Sequence, residues 1–206
     1  MSNPERKPAL LAEVVEYLLD KPLSGLTFRT LAEGLGVSTY TLVYHFGSRA
    51  ELVREIVQAV SERQLFVVTA VANEPGDIGT HLANIRNSWE LSLNRRNLQL
   101  QRLEFEAALF DGGRTGGGGN TAAMFDRWHR AGVEALERMG MAQADAELEA
   151  RMLVDTIYGL HYDLIVTGDA ERVSAAFGRV VEGYGQRVLA LLGAAALADD
   201  LLDEVS

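Results

Sequence analysis

The chain has 206 residues, of which 48% are hydrophobic and 23% are charged, enough for one large packed domain or two small ones. It contains no cysteine, which excludes a disulfide framework, a thiolate zinc site and a cysteine nucleophile and fits a reducing compartment. The first residues do not resemble a signal peptide, and no uncharged apolar stretch is long enough to cross a membrane. We therefore expect a cytoplasmic protein that does not contact a membrane.

The net charge of −10 is distributed unevenly along the chain. Residues 1–50 contain five basic and five acidic side chains, so residues 51–206 carry the whole excess of negative charge. An acidic surface repels phosphate backbones, which leaves the neutral N-terminal part as the region able to approach a nucleic acid.

Apolar residues recur at helical spacing along almost the whole chain, and neither a strand pattern nor an internal repeat is visible. Capping residues and glycines divide this pattern into about nine helices. A first helix from Pro8 is followed by helices over 27–35, 38–46, 48–72, 78–94, 95–110, 121–139, 146–167 and 170–192. Ser48 and Glu51 are spaced as a capping box, and residues 111–120, with the Gly-rich segment 112–119, are predicted to form a loop. The tail from Gly193 is expected to be frayed or disordered.

Two short helices meeting at a glycine turn, within residues 26–52, have the pattern of a helix-turn-helix. Gly36 can adopt a positive φ at the turn, and the small Ala32 allows the second helix to cross closely. An apolar set is expected to fix the crossing angle: Leu31, Leu35, Val37, Leu42 and Phe46.

The other side of the second helix carries hydroxyl, aromatic and imidazole groups and no acid. Its residues are Thr39, Tyr40, Thr41, Val43, Tyr44 and His45. Hydroxyl and imidazole groups bind phosphate oxygens or base edges, and the side chain of Val43 suits a thymine methyl group.

This segment closely resembles the N-terminal domain of the tetracycline-repressor (TetR) family. The matching residues are Thr27, Leu31-Ala32, Gly36-Val37-Ser38, Thr41-Leu42, Tyr44-His45-Phe46, Arg49 and Leu52. The resemblance is specific from Leu10 to Arg54, and beyond that it concerns length, helix count and the acidic body. Val43 departs from the family pattern, which usually has tyrosine there.

The resemblance implies a homodimer whose recognition helices enter successive major grooves of a roughly palindromic operator. It also implies that Arg29 reaches a base edge and that several side chains bind the DNA backbone or neighbouring bases. The predicted DNA contacts are Thr27, Arg29, Ser38, Thr39, Tyr40, Thr41, Val43, Tyr44, His45 and Arg49.

We therefore predict an all-α protein with a three-helix DNA-binding domain at residues 1–54 and a larger helical domain at 55–206, linked by the helix at 48–72. In the resembled family the last two long helices form the dimer interface, and the apolar composition and glycines of residues 146–192 agree with this. The predicted interface residues are Gly159, Phe177, Val181 and Tyr184.

A small, largely apolar effector is expected to bind between the helices of the larger domain. The predicted lining residues are Trp89, Arg102, Phe105, Leu109, Trp128, Tyr158, His161 and Tyr162, with Glu104 and Glu106 as further polar candidates.

No cofactor or metal is predicted, since His81, His129 and His161 lack metal-ligand spacing and no catalytic motif is visible. The predicted function is a ligand-responsive, non-enzymatic transcription regulator, most simply a repressor. An activator of the same fold and an all-α protein that binds a small molecule but no DNA remain alternatives.

Overall fold

The computed structural model describes the backbone of residues 6–72, 77–115 and 120–203, and the side chains of residues 6–60, 77–109, 122–123 and 125–194. Over these residues the fold is all-α, as the sequence predicts, and none of the described helices is long and apolar enough to cross a membrane. The elements are α1 (Arg6–Leu18), a 3-10 turn (Leu23–Gly25), α2 (Phe28–Leu35), α3 (Thr39–Phe46), α4 (Arg49–Ala72), α5 (Ile78–Ser92), α6 (Arg95–Thr115), α7 (Asn120–Arg138), α8 (Gln143–Thr167) and α9 (Ala170–Asp203).

The two helices of the predicted motif begin and end where their capping residues indicate. The side chain of Thr27 caps α2, and that of Ser38 caps α3, each by accepting a hydrogen bond from the backbone N–H three residues later. Gly36 lies between the helices with a φ of 66°, which a residue with a side chain rarely adopts. The helix-turn-helix geometry is therefore confirmed.

The start of α4 confirms the predicted capping box. The backbone N–H of Ser48 donates to Oε2 of Glu51 over 2.7 Å, and the backbone N–H of Glu51 donates to Oγ of Ser48 over 3.2 Å. These hydrogen bonds lower the pKa of the Glu51 carboxyl group.

Two predicted boundaries are wrong because both helices are longer than their apolar pattern. Helix α6 continues to Thr115, so residues 111–115 of the predicted loop are helical, and residues 116–119 lie outside the described residues. Helix α9 continues to Asp203 through a segment rich in Ala and Leu. Extending an existing helix costs little, since each added residue gains a backbone hydrogen bond, and Ala and Leu favour it further.

By their contacts, Met1–Leu65 and Arg95–Met124 form one compact unit, called unit 1 here. Its core is continuous from α1 through α4 and includes Leu103 of α6. Leu31 of α2 and Leu42 of α3 are fully buried in it, so this core fixes how the two helices of the motif cross.

Phe66–Asn94 and Phe125–Ser206 form the second compact unit, called unit 2. Its core joins α7, α8 and α9 around Leu136, Ala150 and Tyr184, with side chains of α5 packed against it. A Cβ atom built on Gly132 of α7 would lie 3.1 Å from the Cβ of Ala150, so this glycine allows α7 and α8 to cross closely. The predicted boundary at residue 54, between a DNA-binding domain and an effector-binding domain, divides the chain by function and remains a prediction.

Candidate functional site

Helix α3 has one buried side and one exposed side. Leu42 and Phe46 are 0% and 2% exposed and hold the helix on the core of unit 1. Tyr40, Tyr44 and Val43 are 77%, 59% and 46% exposed, although residues of this kind are usually at least half-buried. Large exposed apolar groups on a rigid helix typically mark a binding surface.

The aromatic side chains of this surface are held against one another. The rings of Tyr40 and Tyr44 are stacked with centroids 6.3 Å apart, and His45 lies edge-on to Tyr44 at 5.1 Å. Mutual packing limits the rotamers of these side chains before a partner binds, which lowers the entropy cost of binding. The phenol and imidazole groups supply hydrogen-bonding atoms without negative charge.

The hydroxyl groups at the start of α3 serve the protein as well as the predicted interface. Oγ of Ser38 and Oγ1 of Thr41 lie 2.8 Å apart and share a hydrogen bond. Ser38, Thr39 and Thr27 are exposed. Since a hydroxyl oxygen has two acceptor lone pairs and one donor, capping leaves these groups able to bind a phosphate or base edge.

Arg49 is directed to the protein backbone. Its guanidinium group donates to the carbonyl oxygens of Leu26 and Leu23 over 2.8 and 3.3 Å. Leu23 begins the 3-10 turn and Leu26 follows it. Its predicted contact with DNA therefore competes with a role in holding the loop before α2.

Arg29 differs from the other basic side chains near the N-terminus. Arg6 forms an ion pair with Glu13 over 2.8 Å, and Lys7 forms one with Glu55 over 2.7 Å. Arg29 is exposed on α2 and forms no ion pair with the described residues. Its guanidinium group is thus available for an anionic or base-edge partner.

Arg102 and Glu106 form a polar clasp on α6 within unit 1. Arg102 Nη2 donates to the carbonyl oxygens of Leu18 and Leu19 over 2.9 and 3.1 Å, and to that of Lys21 over 3.1 Å. Glu106 pairs with Arg102 and accepts the backbone N–H of Leu23. The clasp thus binds backbone carbonyls at and just after the end of α1, where α1 no longer supplies intrahelical donors.

Of the predicted effector residues, Arg102, Phe105 and Leu109 belong to unit 1 and the other five belong to unit 2. Arg102 is engaged in the clasp, Phe105 is half-buried and Leu109 is 82% exposed.

Trp89 is at the centre of an aromatic cluster in unit 2. Its ring stacks on His161 at 4.8 Å and on Phe177 at 4.3 Å, and its indole N–H donates to Oγ of Ser174 over 3.0 Å. His161 shares a hydrogen bond of 2.9 Å with Oγ of Ser92, and burial lowers the pKa of its imidazole to about 4. The predicted lining residues Trp89 and His161 are therefore brought together as packed core.

The remaining three predicted lining residues lie on α7 and α8. The ring of Tyr158 packs against Phe125 with centroids 4.2 Å apart, and Tyr162 is 60% exposed. Trp128 is half-buried, and its indole N–H is buried without an acceptor, as is the Nε–H of its neighbour Arg127. The sequence does not single out Arg127, because burial of one arginine on a helix has no local signature.

Three of the four predicted dimer residues are buried within the single chain. Phe177, Val181 and Tyr184 are 4%, 0% and 1% exposed, and their place in a dimer interface remains a prediction. Gly159 is exposed, and a Cβ atom built on it would meet nothing within 4 Å.

Helix α8, which also contains Gly159, presents a row of exposed apolar side chains, of which the sequence singled out only Tyr162, and that as an effector residue. Leu148, Met152, Tyr162 and Val166 are 59%, 43%, 60% and 64% exposed. Leu148 and Met152 are four residues apart, as are Tyr162 and Val166, and the ten residues from Met152 to Tyr162 are close to three helical turns. All four side chains therefore lie on one side of α8. That spacing was visible in the sequence, but it did not reveal which apolar side of α8 the core leaves uncovered.

Residues 10–56 match the family model described as bacterial regulatory proteins of the tetR family. The HTH-type transcriptional regulator EthR of Mycobacterium tuberculosis is 26% identical over 93 residues, which are 45% of this chain and 41% of EthR. The match thus spans less than half the length of this curated relative.

Solved structures share the fold over nearly the whole chain. A transcriptional regulator from Rhodococcus sp. Rha1 is 18% identical with a TM-score of 0.67, covering 94% of this chain and 98% of that one. A TetR variant from Acinetobacter baumannii AYE in complex with minocycline is 17% identical with a TM-score of 0.59, covering 95% and 99%. The segment at residues 10–56, which carries the exposed α3 surface, is thus similar to bacterial regulatory proteins of the tetR family, and the likeness to the solved structures concerns the fold.

Proposed function

We propose that the chain is a ligand-responsive transcription repressor, which binds a palindromic operator as a homodimer and is released by a small, largely apolar effector. The observation that carries DNA binding is the exposed surface of α3, where Tyr40, Val43 and Tyr44 stand 46% to 77% exposed with no acid among them. The family match over residues 10–56 supports the same assignment.

In this proposal α3 enters the major groove and reads base edges, while flanking groups bind phosphates. Tyr40, Tyr44 and His45 provide polar atoms at the exposed edge of a packed aromatic set. Arg29 on α2 provides a cation that no described acid neutralises. The acidic remainder of the chain favours contact through this surface alone, since it repels phosphate elsewhere.

The homodimer is proposed to form through the exposed apolar row of α8. Leu148, Met152, Tyr162 and Val166 would be covered by a second copy, and Gly159 would let the two backbones approach. Gly178 on α9 is also exposed with nothing within 4 Å of a built Cβ atom, so α9 has room at this position for a close partner helix.

Release is proposed to act on the distance between the two recognition helices. Half-sites one helical turn apart require α3 and its copy to lie about 34 Å apart. An effector that prefers a different spacing shifts the population away from the DNA-binding form, and about a 10⁴-fold preference reverses a 99:1 equilibrium. Within unit 1, we propose that helix α4 and the clasp of α6 transmit the change in spacing to α3.

The test is selection of random duplex DNA on the purified protein, read by sequencing, followed by a salt titration on the enriched sequence. We expect a palindrome with half-sites about one helical turn apart and an affinity that falls steeply with salt. Failure to enrich any sequence at low salt would contradict the proposal.

The double substitution Tyr44→Ala with His45→Ala should abolish operator binding while leaving the urea-unfolding midpoint unchanged, because Tyr44 is 59% exposed and His45 is half-exposed. Leu91→Ala, at a 51% exposed position on α5, is the matched control and should bind as the unmodified protein does. Unchanged affinity in the double variant would refute the contact assignment.

A further inference from the structure

Two N–H donors on α7 are buried without a hydrogen-bond acceptor. They are Nε of Arg127 and Nε1 of Trp128, and among the described side chains they are the only fully buried nitrogen or oxygen atoms in this state. Native proteins pair nearly all buried polar groups, because a buried donor has lost its hydrogen bonds to water. Two exceptions in adjacent residues therefore indicate that an acceptor from outside the chain belongs at this place.

Other comparable donors in the chain are paired. The indole N–H of Trp89 donates to Oγ of Ser174 over 3.0 Å, and Arg187 donates to both carboxylate oxygens of Glu149. The second tryptophan and Arg127 lack such partners among the described residues.

Helix α7 packs closely on α8 near the two donors. Gly132 already places α7 within 3.1 Å of Ala150, measured from a built Cβ, and the imidazole of His129 shares a hydrogen bond with the carbonyl oxygen of Glu147. One turn before Trp128, Phe125 packs on Tyr158 at 4.2 Å. The two donors thus lie within one turn of an aromatic contact between α7 and α8.

We infer that α7 binds an organic acid, whose anionic oxygens accept hydrogen bonds from Arg127 and Trp128 and whose apolar body packs near Phe125 and Tyr158. A guanidinium group favours an anionic oxygen, and a carboxylate offers several acceptor positions for donors that approach from different directions. The inference rests on the proposed function, since it names the chemical class of the effector.

The first experiment compares the two tryptophans in the ligand-free protein by urea unfolding. Trp89→Phe removes an N–H that is hydrogen-bonded to Ser174, whereas Trp128→Phe removes one that has no acceptor. We expect the unfolding midpoint to fall clearly in Trp89→Phe and much less in Trp128→Phe. An equal fall in both would overturn the inference, because the N–H of Trp128 would then be paired in the ligand-free protein.

The second experiment measures binding without DNA, by calorimetry and thermal shift. The probes are straight-chain acids of six to twelve carbons, roughly the size of a small pocket, and phenyl- and naphthyl-alkanoic acids, each with its matched primary amine and alcohol. At least one acid should bind, with its matched amine at least ten-fold weaker. Arg127→Met and Trp128→Phe should each weaken the acid about ten-fold or more, while Arg130→Met, at an exposed position on the same helix, should not.

The inference is overturned if no acid binds, if amines bind as tightly as acids, or if Arg127→Met leaves the affinity unchanged. Its failure is distinguishable from that of the proposed function, because operator selection does not depend on these probes. Acid binding that leaves the operator complex intact would support the anchor and refute the effector role.

Discussion

At the scale of single residues, Val43 is the side chain of α3 best suited to read a base without a hydrogen bond. It is 46% exposed beside the stacked pair Tyr40 and Tyr44, and its branched apolar group fits the methyl group that only thymine presents in the major groove. Where the family usually carries tyrosine, this chain thus exchanges a phenol group for an apolar contact.

Replacing each thymine of the recovered operator by deoxyuridine, which lacks the methyl group, should expose this contact. We expect one thymine in each half-site whose replacement weakens binding of the unmodified protein by about 1 kcal/mol, roughly five-fold. Val43→Ala should bind both DNAs equally. A loss of the same size in Val43→Ala would show that another side chain reads the methyl group.

At the scale of elements, α6 stabilises the segment before α2 through Arg102 and Glu106. The side chains of this pair are 21% and 30% exposed, and the clasp pairs carbonyl oxygens at the end of α1. Removing Arg102 takes away the donor that the carbonyls of Leu18, Leu19 and Lys21 share and leaves Glu106 without its cation, although the Leu18 carbonyl keeps the backbone N–H of Lys21.

Arg102→Met should lower the free energy of unfolding by about 1–3 kcal/mol, and a double-mutant cycle with Glu106→Gln should show coupling of roughly 0.5–3 kcal/mol. The matched control is Arg95→Met, which breaks an ion pair of the same helix with Asp20 whose side chains are 83% and 67% exposed. That variant should change stability by less than about 0.5 kcal/mol. Additive effects of Arg102→Met and Glu106→Gln would contradict a cooperative clasp.

Within unit 2, helix α5 forms a hydrogen bond that involves a histidine near each of its ends. His81 shares one of 2.9 Å with the hydroxyl of Tyr184, and Ser92 shares one of 2.9 Å with His161 of α8. Burial lowers the pKa of both imidazoles, that of His161 to about 4. In the unfolded chain both titrate near pH 6.5.

Lowering the pH should therefore reduce the stability of unit 2. Between pH 6.5 and 4 the unfolded chain binds more protons than the folded one, so the stability present above pH 6.5 is lost as the pH falls through this window. His161 contributes up to about 3 kcal/mol of this loss. Urea unfolding at several pH values should give a shallower pH dependence for His161→Gln and for His81→Gln than for the unmodified protein, and parallel curves would contradict the assignment.

At the scale of the whole molecule, the exposed row on α8 makes the oligomeric state testable. Val166→Asp, at a position 64% exposed, places a charge that a dimer would have to bury without a partner. We expect a monomer in sedimentation experiments and a loss of operator affinity, because one half-site replaces two. Leu91→Asp, 51% exposed on α5, is the matched control and should remain dimeric.

Local features of this chain were predictable because they depend on residues close in sequence. Thr27, Ser38 and Ser48 cap helices as predicted, and Gly36 adopts the predicted left-handed conformation. Capping and glycine turns are settled within one helical turn, so the helix-turn-helix motif could be predicted from the sequence.

The sequence by itself determined the all-α fold and the helix-turn-helix with its exposed α3 surface. Only the tertiary structure decided which apolar side of each long helix is covered: Phe177, Val181 and Tyr184 face the core, whereas Leu148 and Val166 do not. It also decided that Arg102 binds backbone carbonyls and that Nε of Arg127 and Nε1 of Trp128 are buried without an acceptor among the described residues. Burial and pairing depend on residues far apart in the chain, and helical spacing alone does not specify which of them meet.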